Sequence, residues 1–291
     1  MNESLWRDCA EPTPMLEFSQ SLAGDRKLRL FACACCRRIW DLMTTPSSRT
    51  AVEIAERFAD GLVSEHERYA AFAAAIREAN GWANCCGCID ATYSGGVNAA
   101  AFAVATAESV ENTGDAAVIA EINFPDFMRA PALIAAIDAS MGASASVGAW
   151  VQANHDGNIG DEYPHAWEQT VLAAGAVRTA ALGIPNVTDA TDEYELQQRA
   201  QAVECEAQCE LLRDIFGNPF RATDFLSQWR ADTAVALARG TYESRDFGAM
   251  PILADALQDA GCDSADILDH CRGHGSHVRG CWVVDLVLGK E

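Results

Sequence analysis

An all-α fold is what this sequence predicts, on three observations. Apolar residues recur at i, i+3 and i+4 from end to end, alanine is abundant, and the period-2 alternation of β-branched residues that marks strands is almost absent. At 291 residues, 49% of them hydrophobic and with 9 prolines, the chain is globular rather than disordered or fibrous. The expected architecture is a multi-helix bundle packed closely through alanine. It has either two helical regions, 1–185 and 186–291, or one continuous domain.

Thr13 followed by Pro14 predicts the start of a short helix, because proline is pre-set for the first helical position and threonine caps the free N–H groups. A second helix is expected over 25–43. Thr50 with Glu53, Ser64 with Glu67 and Asp192 with Glu195 have capping-box spacing, which predicts three more helix starts. Breaks are expected at Ser94-Gly95-Gly96 and near Pro125, and loops at His155–Tyr163 and Gly183–Asp192. The helix from Asp192 to Phe216 has one apolar stripe at Leu196, Ala200, Val203, Ala207 and Leu211. A second runs through Cys205, Cys209, Leu212 and Phe216, so the helix should lie between two layers. The run from Cys281 to Leu288 is almost wholly apolar and must be buried, as a helix before a strand.

The chain holds 42 acidic and 21 basic side chains, a formal charge of −21, and residues 81–198 carry 15 acids against 2 bases. A surface of that sign repels phosphate backbones and anionic lipid heads, so neither nucleic acid nor membrane is an expected partner. A basic protein is. The N-terminus has no basic segment followed by an apolar run, which predicts a cytoplasmic protein in which the twelve cysteines are thiols.

Two blocks carry a resemblance. Asp25 to Trp40 reads DRKLRLFACACCRRIW and His277 to Gly289 reads HVRGCWVVDLVLG, with Leu211 to Arg221 and Pro251 to Gly261 between them. In these the chain resembles a bacterial family, often present as many paralogues, that shares both blocks over roughly a third of the length. The resemblance implies no particular activity. The blocks are expected to pack together, since both have apolar faces interrupted by arginine and cysteine.

Candidate metal ligands lie in both blocks. Around the second, His270, Cys271, His274, His277 and Cys281 form the densest array of nitrogen and sulfur donors, and its glycines permit a tight turn. His277 and Cys281, four apart, can face one Zn²⁺, with Cys271 and either His270 or His274 completing a tetrahedron. The competing reading is that His277 and Cys281 continue a core stripe through Val284 and Leu288. A further four-thiolate site would combine Cys33 and Cys36 with Cys85 and Cys88, although 48 residues separate its halves, far more than in a zinc ribbon. On a helix Cys35 shares the core face of Leu28, Phe31 and Ala32, while Cys33 falls off it.

Asp285, inside the apolar C-terminal run, requires a partner, with Arg272, Arg279 or His277 as candidates. Arg37 and Arg38 are expected to pair with carboxylates such as Asp41. Catalytic and cofactor-binding signatures are missing: Gly273 to His277 reads GHGSH rather than a nucleophile elbow, and no phosphate-binding glycine loop occurs. Asp156 to Glu162 lacks the glycine and glutamate positions of a calcium loop.

Three functions follow in order. The first is a non-enzymatic protein whose acidic surface docks a basic protein partner as an adaptor or regulator. The second is a zinc-binding protein using Cys271, His277, Cys281 and His270. The third is a small-molecule enzyme in a helical pocket around His270, His277 and Asp285.

Overall fold

The computed structural model describes residues 1–19, 22, 24–38, 40, 46–68, 70–71, 74–75 and 193–290, and there the chain is helical without a strand. In chain order the helices are α1 (Glu3–Asp8), α2 (Pro12–Ser19), α3 (Asp25–Arg38), α4 (Pro46–Ala59) and α5 (Glu193–Phe216). They continue as α6 (Asp232–Ser244), α7 (Met250–Asp259), α8 (Ala265–Arg272) and α9 (Trp282–Leu288). The Cys85 and Cys88 thiols, the 155–163 and 183–192 loops and nearly all of the acidic stretch 81–198 lie outside the described residues.

Local chemistry sets several boundaries. Asn2 accepts the Leu5 N–H at 2.9 Å and caps α1. Ser64 and Glu67 form the expected reciprocal box, with Glu67 N donating to Ser64 Oγ and Ser64 N to Glu67 Oε2. Thr50 and Glu53 do not, because Pro46 opens α4 a turn earlier and Thr50 falls in its interior. Likewise α2 starts at Pro12, ahead of Thr13.

Helix α3 departs from the expectation of a single core face. Leu28, Leu30, Phe31, Ala32, Cys33, Ala34, Cys35 and Cys36 are all buried, since α4 and α5 both pack on it. Cys33, predicted off the core face, is covered because its Sγ lies against α4, 3.9 Å from the Val52 carbonyl. Helix α5 touches α2, α3 and α9, as a helix between layers should, but of its two predicted stripes only Leu211, Cys209 and Leu212 are buried, with Val203, Cys205, Ala207 and Phe216 partly so. Its buried set nevertheless includes Glu204, Gln208 and Asp214 beside Cys209, Leu211, Leu212 and Ile215.

A second core joins α6, α7, α8 and α9 around Tyr242, Leu253, Leu257, Ile267 and Val284. Fully burying a leucine such as Leu257 contributes about 2 kcal/mol, so Leu257→Ala, which also leaves a cavity, loses about 3 kcal/mol. The 281–288 run is the helix α9. The two cores meet where the blocks 25–40 and 277–289 touch. Gly280 has φ +97°, and a Cβ there would sit 2.9 Å from Leu30 of α3, so neither the backbone nor the space admits a side chain.

The buried charges cross the same junction. Asp285 pairs with Arg26 of α3, at 2.6 and 3.0 Å, and not with Arg272, Arg279 or His277. Sequence reasoning favoured neighbours near in the chain, whereas the partner lies 259 positions away. Arg37 grips Glu56 of α4 with two bonds of 3.0 Å, and Arg38 grips Glu204 of α5 at 2.8 and 2.9 Å. Asp60 receives Arg26, Arg279, Lys290 and the Tyr242 hydroxyl. Burial pushes the Asp60 carboxyl up, but Tyr242, Lys290, Arg279 and Arg26 together hold it below its ordinary value.

Candidate metal centre

Four donor side chains converge at the junction of α5, α8 and the turn before α9: Asp214, His270, His277 and Cys281, whose ligating atoms all lie within 4.8 Å of one another. Helix α5 carries Asp214 inward because Leu211, three residues before it on the same face, is a core residue, as is the adjacent Ile215. His270 stands in the last turn of α8. The segment after Gly273 brings His277 and Cys281 back over α5, and the Val278 N–H donates to Asp214 Oδ2 at 2.9 Å, fixing the loop on the carboxylate.

The distances are close. His277 Nδ1 lies 2.7 Å and His270 Nε2 3.1 Å from Asp214 Oδ1. Cys281 Sγ is 3.2 Å from His270 Nε2 and 3.9 Å from His277 Nδ1. A zinc ion bound tetrahedrally at ordinary Zn–N, Zn–O and Zn–S lengths keeps its ligand atoms about 3.3–3.8 Å apart, so small side-chain rotations would admit one. The side chains of Asp214 and His277 are 4% and 7% exposed, and His270 at 20% is the solvent-facing edge. With one oxygen of Asp214 turned to the imidazoles and the other held by the backbone, the carboxylate presents a single ligating atom.

Burial pushes the Asp214 carboxyl up, but hydrogen bonds to His270 and His277 push it down further, leaving it below its ordinary value near 3.8. Burial, reinforced by the charge of Asp214, holds the Cys281 thiol well above its ordinary range. A metal ion at that sulfur would displace its proton. The donor set of two imidazoles, one thiolate and one carboxylate is borderline-soft and matches zinc better than magnesium or calcium, which take oxygen alone.

Of the residues singled out in the sequence, His270, His277 and Cys281 come together here. Cys271 points into the α6–α9 core, with burial pushing its thiol up to about 12, and His274 stands on the exposed turn. Cys33 and Cys36 are held in the α3 core. Asp214 was missed. Its signal is a carboxylate on the apolar stripe of LLRDIF, the same kind of anomaly that drew notice to Asp285. No helix among the described residues is long and apolar enough to cross a membrane. Comparisons of the chain with protein-family models, with curated proteins and with solved structures gave no match.

Proposed function

We propose that this is a metal-binding protein in which Asp214, His270, His277 and Cys281 hold one divalent transition ion, zinc before any other. The ion's role on this reading is structural: four protein ligands fill a tetrahedron and leave no open position for substrate. It would clamp α5, α8 and the 273–281 turn together and so fix α9 against α3. The observation that supports this reading is the convergence of four different donor atoms within 4.8 Å of one another at a largely buried point.

The experiment is elemental analysis of protein purified without chelators, beside the Asp214→Ala and Cys281→Ala variants. About one zinc per chain is expected in the parent and well under half of that in either variant. A parent with no bound metal, whose melting temperature does not move on adding zinc, overturns the proposal.

A further inference from the structure

We propose that Lys27 is an imine-forming amine, and that the cleft between the start of α3, the end of α5 and α9 is a site for an aldehyde with an aromatic body. This goes beyond the metal reading and uses none of its four donors. The cleft encloses about 580 Å³, inside the range of small-molecule pockets. Phe216, Trp282 and Leu286 give its wall hydrocarbon. Leu22 and Arg221, both exposed, line it too, so solvent reaches it.

The sequence supplies the first argument. Of the 21 basic side chains only Lys27 and Lys290 are lysines, and both line this one cleft. Every other cation is arginine, including those that hold Glu56, Glu204 and Asp285. The tasks the two lysines perform as ammonium groups are open to arginine. Lys27 donates to the Ile215 carbonyl at the end of α5, and Lys290 pairs with Asp60 at 3.0 Å over the Tyr242 ring. What arginine cannot do is lose a proton and attack a carbonyl carbon.

Geometry then separates the two lysines. Lys290 has the Asp60 carboxylate at ion-pair distance. Lys27 Nζ has the Ile215 carbonyl at 3.0 Å and the centre of the Phe216 ring at 5.8 Å, and makes no ion pair among the described residues. Asp285, which lines the same cleft, has both oxygens on Arg26. Burial pushes the Lys27 ammonium below its ordinary pKa with Arg26 acting in the same direction, and Asp285, Cys281 and Asp214 do not restore it. Desolvation of this kind activates a lysine as a nucleophile. The step balances without a further reagent: the deprotonated Nζ bonds the aldehyde carbon, both of its protons pass to the carbonyl oxygen, and water leaves the imine behind.

The test is trapping on the full chain at pH 7 with benzaldehyde and cyanoborohydride, which reduces the imine to a stable benzylamine, read by peptide mass spectrometry. Lys27 is expected to label at least about tenfold faster than Lys290, at a rate that saturates with benzaldehyde. Propanal, which lacks the ring, should label it without saturating. In urea the advantage over Lys290 should vanish, because the fold creates it. Labelling at Lys27 no faster than at Lys290 in the folded chain overturns the proposal, and is the result a lysine that only caps α5 would give. A Lys27 rate linear in benzaldehyde, or one that saturates alike with propanal, overturns it as well.

Discussion

Glu204 and Asp214 sit on the same helix, both buried, and have been given opposite neighbours. Glu204 is met by the guanidinium of Arg38 and the amide of Gln208, groups that hold their charge or neutrality at any ordinary pH. Asp214 is met by two imidazoles and lies beside a thiol. The first arrangement pins α3 to α5 permanently. The second can exchange its internal hydrogen bonds for a metal ion, because imidazole and thiol are ligands and guanidinium is not. A buried carboxylate is thus a structural strut or a binding group according to which cation reaches it.

The comparison breaks most severely at Arg38. In Arg38→Met the carboxylate of Glu204, fully buried, loses its counter-charge, and urea unfolding should report a loss of about 4 kcal/mol. Metal content per folded chain should not change, and adding Glu204→Leu should restore most of the stability. Zinc withdrawal is the matching perturbation at Asp214. A chelator should lower stability by about 3 kcal/mol, or about 6 °C in Tm, and Asp214→Asn should abolish the response to chelator.

Acid sharpens the contrast further. The Asp60 and Asp214 carboxyls both sit below their ordinary values in the folded chain. The unfolded chain therefore takes up protons first as pH falls. The stabilisation is complete above the ordinary carboxyl range and is lost below about pH 5, through the folded-state values. Asp60→Asn should destabilise at pH 7 and differ progressively less from the parent below about pH 4, as chemical denaturation at each pH will show. The smallest effect belongs to α3: Cys35→Ala should cost about 1 kcal/mol by leaving a sulfur-sized void, with zinc content unchanged.

The helical class was legible because apolar periodicity and capping are local, and Ser64 with Glu67 shows how far that reach extends. Three of the four donors at the candidate centre were legible for the same reason, since His270, His277 and Cys281 fall within one short stretch. The partners of buried charges were not. Asp214 reaches that stretch from α5, and Arg26 reaches Asp285 from α3, so both pairings are set by helix packing and leave no spacing to read. Cys33 teaches the same point, being off one helical face and buried all the same because α3 has neighbours on more than one side.

The salt links of α3 also order events in time. Arg26 and Asp285 are 259 positions apart, and Arg38 and Glu204 are 166 apart. At translation rates of roughly 5–20 residues per second, Arg26 emerges on the order of seconds before Asp60, 34 positions on, but tens of seconds before Asp285. Until Asp285 follows, Arg26 has the carboxylate of Asp60 alone, and Arg38 waits in the same way for Glu204. The arginines of α3 thus tie a helix made early to α5 and α9, which are made late, so those two pairings complete only as the last part of the chain is synthesised.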